Sequence, residues 1–405
     1  MPTPVLITGY EQASSLGSNL HLMDQALWTG DGHAEIFETL IEGLDPIRGP
    51  VCRAPVDTSN LIAPSRVPMD RSTALALMVA KGAAEAAELD LTSLETDRLG
   101  VFWGSGLAGA HTFDHTAHAM YVEHKRMRPT NVVTIMPNAP ASEIALWSKA
   151  QGVCMTYACA CASSAVAIGE AMFAIRSGRL DVAIVGGSES MLSPAIIAGW
   201  QAMRVLAQIS NDPAKACKPF DRNRTGFVLG EGAAALILES SEHASRRRAN
   251  EKARLSGYGA SSDGVHITNP DPQGQIRAMR MALNDAGLQP SDIGYINAHG
   301  TATIAGDLAE SRSISEVFQG LNVPVSSTKG LHGHMLGAGG AMELVVALRA
   351  LENKTIPPTA NLVESDPAIV LNLSRNCESA PNIRNVMSNS FAFGGTNAVL
   401  VASVI

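Results

Sequence analysis

Short apolar runs that close on glycine or a small polar residue alternate, along this chain, with longer stretches of helical spacing. In the first half RLGVFWG, QGVCMTYACA, DVAIVGG and AAALILE read as buried strands. Between them, ALALMVAKGAAEAAELD and SSAVAIGEAMFAIRSG read as helices, the second with Ala165, Ile168, Met172 and Ile175 on one face. The second half repeats the plan. ARLSGYGASS, DIGYINAHG and NVPVSST read as strands, IRAMRMALNDAGL and GAMELVVALRALENK as helices, and NVMSNSFAFGG with NAVLVASVI as a closing hairpin. Strand and helix alternating in this way predict an α/β fold with buried sheets.

Both halves contain a strand, a small-residue turn and a helix, in ACACASSAVAIGEAM and again in SSTKGLHGHMLGAGGAMELVVAL. That parallel predicts an internal duplication, with one unit over residues 1–250, the other over residues 251–405, and the boundary at the basic stretch 246–254. At 405 residues the chain exceeds twice a typical domain of about 150, and it has no low-complexity linker, so two halves packed as one body are expected. Aromatics are only 4% of residues, so Ala, Val, Ile, Leu and Met have to fill the core.

Composition narrows the function. Apolar residues at 46% and charged residues at 17% exclude global disorder. A net charge of −8 argues against a general nucleic-acid surface, though a local basic patch could still meet an acidic partner. The first basic residue is Arg48, so a secretory signal is not expected. The uncharged stretch 152–168 contains Ser, Thr and Gly, and reads as strand–turn–helix rather than a membrane span. Six cysteines without such a signal predict reduced thiols and a cytoplasmic protein.

Cys161 stands where an apolar strand meets a helix. Free N–H groups at a helix start favour a thiolate and can hold an oxyanion. The competing reading is a buried, inert cysteine, and Cys159 is a rival two residues away. A thiol nucleophile needs proton-handling partners, and histidines are the usual ones. His299 in NAHGTAT and His334 in GLHGHMLGAGG lie in glycine-flanked turns after strands, with His332 as a rival to His334.

The ordered segments CACASSAVAIG, DRNRTGFVLGEGA, NAHGTATIAGD, SSTKGLHGHMLGAGGAMEL and SNSFAFGGTNAVL resemble the elongating β-ketoacyl-acyl carrier protein synthases of type II systems, within the thiolase-like superfamily. The resemblance covers roughly residues 95–405. It implies a thiolase-like, duplicated five-layered αβαβα fold, usually in a homodimer. Cys161 would accept the acyl group, and His299 and His334 would complete a Cys-His-His site. Lys329 matches the family's active-site lysine and Glu343 the acid on the following helix. Backbone N–H groups of Cys161 and Phe393 would form the oxyanion hole, with Phe393 also gating acyl entry. Thr301 and Thr303 would contact the phosphopantetheine arm of the acyl carrier protein, and Leu107 would line the acyl pocket. Lys125, Arg126 and Arg204 match carrier-docking positions, although a solvated face is the ordinary fate of such residues. The implied reaction is decarboxylative condensation with malonyl-carrier, in fatty acid or related polyketide synthesis, and it requires no metal or redox cofactor.

Two histidines, rather than a His and an Asn, point away from the priming and chalcone-type branches. An intact Cys161 points away from chain-length-factor subunits, with which some relatives form heterodimers. The segment LITGYEQASSLG, Ile304 in place of the family's usual proline, and Cys159 depart from the family pattern and favour a specialised pathway. A cysteine acyl hydrolase or simple acyltransferase, and a non-catalytic carrier-binding subunit, are the alternatives. The loop GSGLAG fits G-x-G-x-x-G, but no acid follows about 20 residues on, which argues against a dinucleotide site. His111, His115 and His118, beside Asp114, have helical spacing and could face a metal, yet no fourth ligand is evident.

Overall fold

The computed structural model describes residues 3–43 and 45–405. Its first half runs β1 (Val5–Ala13), α1 (Arg71–Ala86), β2 (Leu99–Gly104), β3 (Cys154–Tyr157), α2 (Ser163–Arg176), β4 (Val182–Glu189) and β5 (Gly232–Ser240). The second runs β6 (Ala253–Ser262), α3 (Pro272–Ala286), β7 (Tyr295–Asn297), α4 (Ile304–Val317), β8 (Pro324–Ser326), α5 (Gly339–Asn353), β9 (Asn385–Phe391) and β10 (Thr396–Ser403). Shorter elements are identified by their residues.

Each half arranges its five strands in the same spatial order. The first reads β3-β2-β4-β5-β1 and the second β8-β7-β9-β10-β6, with a short extra strand, Asn372–Leu373, beyond β8. Directions also match. β2 runs parallel to β3 and β4, and β7 runs parallel to β8 and β9, while the other pairs within each set of five are antiparallel. The halves are not separate sheets. β1 and β6 pair through Val5–Ile7 and Ala253–Leu255, joining these strands into one 11-stranded sheet.

The layers follow from what each strand buries. Along β4, Ile184 faces the outer helix α1 with Leu75, Val79 and Ala83, whereas Val185 faces the centre. Along β10, Val399 and Val401 meet Ile276, Met279 and Leu283 of α3, whereas Leu400 turns inward. Both faces being covered explains why these strands read as unbroken apolar runs. The central layer is α2 against α5, with Ile168 and Met172 in one cluster with Val345 and Leu348. The sequence is therefore α, β, α, β, α across the molecule. No helix among the described residues is long and apolar enough to cross a membrane.

A buried ion cluster ties the N-terminal strand down. Glu239 on β5 accepts hydrogen bonds from Thr8 at 2.5 Å and from Arg247 at 2.5 and 2.8 Å, and pairs with His243 Nδ1 at 2.6 Å. Burial pushes its carboxyl up, but Arg247, His243 and Thr8 outweigh burial and hold it at about 2. A carboxyl depressed in the folded state stabilises above its ordinary range and loses that contribution as pH falls toward the folded value. Glu239→Gln should therefore lower stability at pH 7 by roughly 3 kcal/mol. It should also flatten the acid-induced loss between about pH 5 and pH 2, as read by denaturant melts across that window.

Candidate active site

The centre of the molecule gathers three reactive side chains from three turns. Cys161 lies in the one-turn segment Ala160–Ala162, immediately before α2. The turn is tight: Ala160 has φ +48, and the Ser163 hydroxyl takes the Cys159 N–H at 2.8 Å and donates to the Ala160 carbonyl at 2.7 Å. Helix α2 can start this close to β2 because position 104 is glycine; a Cβ there would lie 2.2 Å from the Ser164 nitrogen. His299 follows β7. Its N–H and that of Gly300 are both held by the buried carboxylate of Glu310 on α4, at 2.8 and 2.7 Å. His334 is pinned by a small sheet of Glu35–Thr39, Ile47–Cys52 and Leu229–Gly230. Its N–H donates to the Val228 carbonyl at 2.7 Å, and its carbonyl accepts from Gly230 at 3.0 Å.

The ligand atoms of Cys161, His299 and His334 lie within 4.8 Å of one another, all buried. His334 Nε2 is 3.0 Å from Cys161 Sγ, and the two imidazoles stand edge to face with centroids 5.4 Å apart. Lys329 Nζ lies 3.3 Å from His299 Nδ1 and forms a buried ion pair with Glu343. An ammonium donating to Nδ1 leaves the His299 proton on Nε2, so that nitrogen is a donor. Burial, and then the Lys329 charge, hold both imidazoles well below their ordinary pKa, so they stay neutral near pH 7. Burial raises the Glu343 carboxyl to about 7, against the pull of Lys329. The donor set would suit zinc, but the Lys329 ammonium repels a cation and keeps the proton where the metal would bind.

One expectation is corrected here. Helix-end N–H groups were expected to lower the Cys161 pKa, but burial dominates and raises it to about 12, with Lys329 and the Phe393 N–H acting in the other direction. Cys161 thus rests as a thiol, with His334 Nε2 as the neighbour of its sulfur.

A cavity of about 240 Å³ opens over these groups. Thr301, Thr303 and Phe393 line it, and the two threonine hydroxyls meet at 3.0 Å. Leu107 does not line it and is 46% exposed, because its N–H is drawn onto Glu189 and the loop presents the side chain outward. Arg204 is exposed at φ +57 between Met203 and Val205, both lining residues, and so stands at the mouth. Lys125 and Arg126 are exposed beyond the helix Ala110–Tyr121, outside the lining, with Lys125 paired to Glu123 at 2.6 Å. The rivals fall away. His332 is buried on Thr328 and the Gly333 carbonyl and held at about 3 by burial, and Cys159 packs against the central core. His111, His115 and His118 are exposed, while Asp114 accepts from the Ala195 N–H at 3.2 Å.

Glu189, Glu310, Trp200 and Phe227 were not singled out from sequence. Phe227 sets its edge to His334 at 5.2 Å, and Trp200 stacks near Phe393 at 6.1 Å. Glu189 carried one signal, a carboxylate at the end of the apolar strand DVAIVGGSE; Glu310, in IAGDLAESRSISEV with Arg312 two residues on, carried none.

A buried cysteine beside two neutral imidazoles, on a duplicated five-layer fold, is an arrangement suited to acyl transfer through a thiol. The chain belongs to the β-ketoacyl synthase family, whose N-terminal domain model matches residues 4–244 and whose C-terminal domain model matches residues 252–363. It is accordingly a condensing enzyme of acyltransferase type. It is 40% identical over 339 residues to 3-oxoacyl-[acyl-carrier-protein] synthase 2 of Staphylococcus aureus, covering 82% of this chain and 84% of that one. It is 36% identical to nodulation protein E of Rhizobium meliloti across 99% of both chains. The ishigamide ketosynthase/chain length factor structure superposes with a TM-score of 0.90 at 30% identity, covering 100% of each chain.

Proposed function

We propose that this enzyme condenses an acyl group held on Cys161 with malonyl-acyl carrier protein, in fatty acid or related type II polyketide synthesis. The observation that carries the proposal is the 3.0 Å approach of His334 Nε2 to Cys161 Sγ beside a second imidazole whose proton faces the same cavity. Loading is a thioester exchange. Cys161 Sγ attacks the carrier thioester, and its proton leaves with the carrier, which departs as a thiol. In the second step malonyl-carrier loses CO2, and the electron pair of the broken C–C bond becomes an enolate. Nε2–H groups of His299 and His334 stabilise the enolate oxygen. The enolate carbon attacks the acyl-Cys161 carbonyl, and the N–H groups of Cys161 and Phe393 hold the oxyanion. Collapse releases the 3-oxoacyl product and returns a Cys161 thiolate, which takes up one proton. Lys329 and Glu343 fix the His299 tautomer.

Thr301 and Thr303 would receive the pantetheine arm, and Phe393 with Trp200 would screen the acyl entrance. A hydrolase needs only one histidine, and the second imidazole favours condensation. We assign the outer edge of β3, unpaired among the described residues and carrying exposed Met155, to a second subunit, identical or chain-length-factor-like. Intact-mass measurement after mixing with acyl-carriers, followed by malonyl-carrier, tests the whole scheme. A mass increase on Cys161 that discharges only with malonyl-carrier is expected. Discharge in its absence would indicate a hydrolase.

Carrier docking is a separate matter. Acidic carriers would meet Lys125, Arg126 and Arg204. Reversing these charges should raise KM for carrier-borne substrate several-fold and weaken its salt dependence, while sparing small free thioesters. Equal losses for both substrate types would count against a docking patch.

A further inference from the structure

Glu189, the last residue of β4, is fully buried, yet among the described residues its carboxylate has no cationic partner. Backbone N–H groups converge on it instead. Oε2 accepts from Gly106 at 2.6 Å and from Gly337 at 3.1 Å, and Oε1 accepts from Leu107 at 3.0 Å, with the Ser105 hydroxyl at 3.4 Å. The carboxylate therefore spans two loops that are far apart in sequence, the turn after β2 and the turn that leads from His334 into α5.

The second turn is under strain. Leu336, between His334 and Gly337, has φ +42, a left-handed region that a leucine side chain disfavours. Leu336 also lines the active-site cavity. On one side of this strained residue His334 is held by Val228 and Gly230, and on the other side Gly337 is held by Glu189. Fit is tight as well. A Cβ at Gly337 would lie 2.3 Å from the Gly106 nitrogen and 2.7 Å from Glu189 Oε2, so only glycine lets the two loops close over the carboxylate. A hydrogen-bonded buried carboxylate is a costly group to keep without a function. Burial raises this one to about 7 despite its donors.

We infer that Glu189 is a positioning residue: by clamping the Gly337 and Gly106–Leu107 amides it fixes the strained turn that aims His334 at Cys161. The inference rests on Cys161 and His334 acting as the acyl-transfer pair. Glu189→Asp keeps the charge but is one methylene too short to span both loops. Glu189→Gln keeps the length but turns an N–H donor toward the amides.

Three readouts decide it. In both variants acylation of Cys161, followed by intact mass, should slow by about 10- to 100-fold, the effect of misplacing a reacting group by about 1 Å. KM for the carrier substrate should stay within about twofold, since no docking residue is touched. Alkylation of Cys161 by iodoacetamide, mapped by peptide mass, should also change in rate; it uses no thioester, so it separates a failure of this inference from a failure of the proposed reaction. In the wild-type enzyme the Gly337 amide should exchange hydrogen as slowly as the core of β4. A lowered melting temperature with wild-type acylation and alkylation by the folded variants would leave Glu189 a purely structural acid and overturn the inference. Rapid exchange at Gly337 would overturn it even if neither variant folds.

Discussion

Cys161→Ala should abolish acyl-enzyme formation altogether, with no mass increase after exposure to any acyl-carrier, while Cys159→Ala should still load. Cys161 lies in the cavity with His334 on its sulfur, and Cys159 lies outside it. The substitution replaces a single carbon-bound group, the thiol, with hydrogen, and the chain neighbours Ala160 and Ala162 are already small. Folding should therefore survive, and the Cys161→Ala protein should melt within a few degrees of wild type. Loss of loading would then report chemistry rather than collapse. A persistent acyl adduct on Cys161→Ala would overturn the assignment of the nucleophile. Because burial sets the thiol at about 12, iodoacetamide should alkylate Cys161 slowly near pH 7 and faster as pH rises.

The two histidines should separate the half-reactions. His299 does not touch Cys161; its Nδ1 is engaged by Lys329, and its Nε2–H is free for the malonyl-derived enolate. Loss of one donor aimed at developing charge typically lowers rate by about 100- to 1,000-fold. His299→Ala should therefore acylate on Cys161 yet fail to release CO2 from malonyl-carrier. His334→Ala should fail at both steps to some degree, because His334 Nε2 also neighbours the Cys161 sulfur at 3.0 Å. The measurement is paired: acyl-enzyme mass, and labelled CO2 from malonyl-carrier, for each variant. Wild-type decarboxylation by His299→Ala would remove the two-histidine mechanism and bring back the hydrolase alternative. Lys329 gives an internal check. Lys329→Met should mimic the His299 defect, since His299 then loses the donor that fixes its tautomer.

Periodicity found both halves of the fold because their physical demands are local. Strands buried on two faces must be apolar throughout, so RLGVFWG and DVAIVGG announce themselves without knowledge of what covers them. The repeat of strand, small-residue turn and helix is equally local, and it predicted the duplication. Residue context offered Cys161, His299 and His334 as candidates, and Lys329 and Glu343 entered only with the family resemblance. The seam between β1 and β6 was not legible, since three residue pairs of an edge contact leave no pattern.

What the sequence by itself determined is the fold class and the candidates for the reacting groups, because both reside in residue type and short-range order. Tertiary structure alone decided which candidates meet. It turned His334 rather than His332 onto the sulfur, buried Cys161 deeply enough to keep it a thiol, and swung Leu107 outward. It also brought Glu189 and Glu310 under loops that lie up to 148 residues away along the chain. Burial and long-range hydrogen bonding are properties of neighbours in space, and a chain read in one dimension does not contain them.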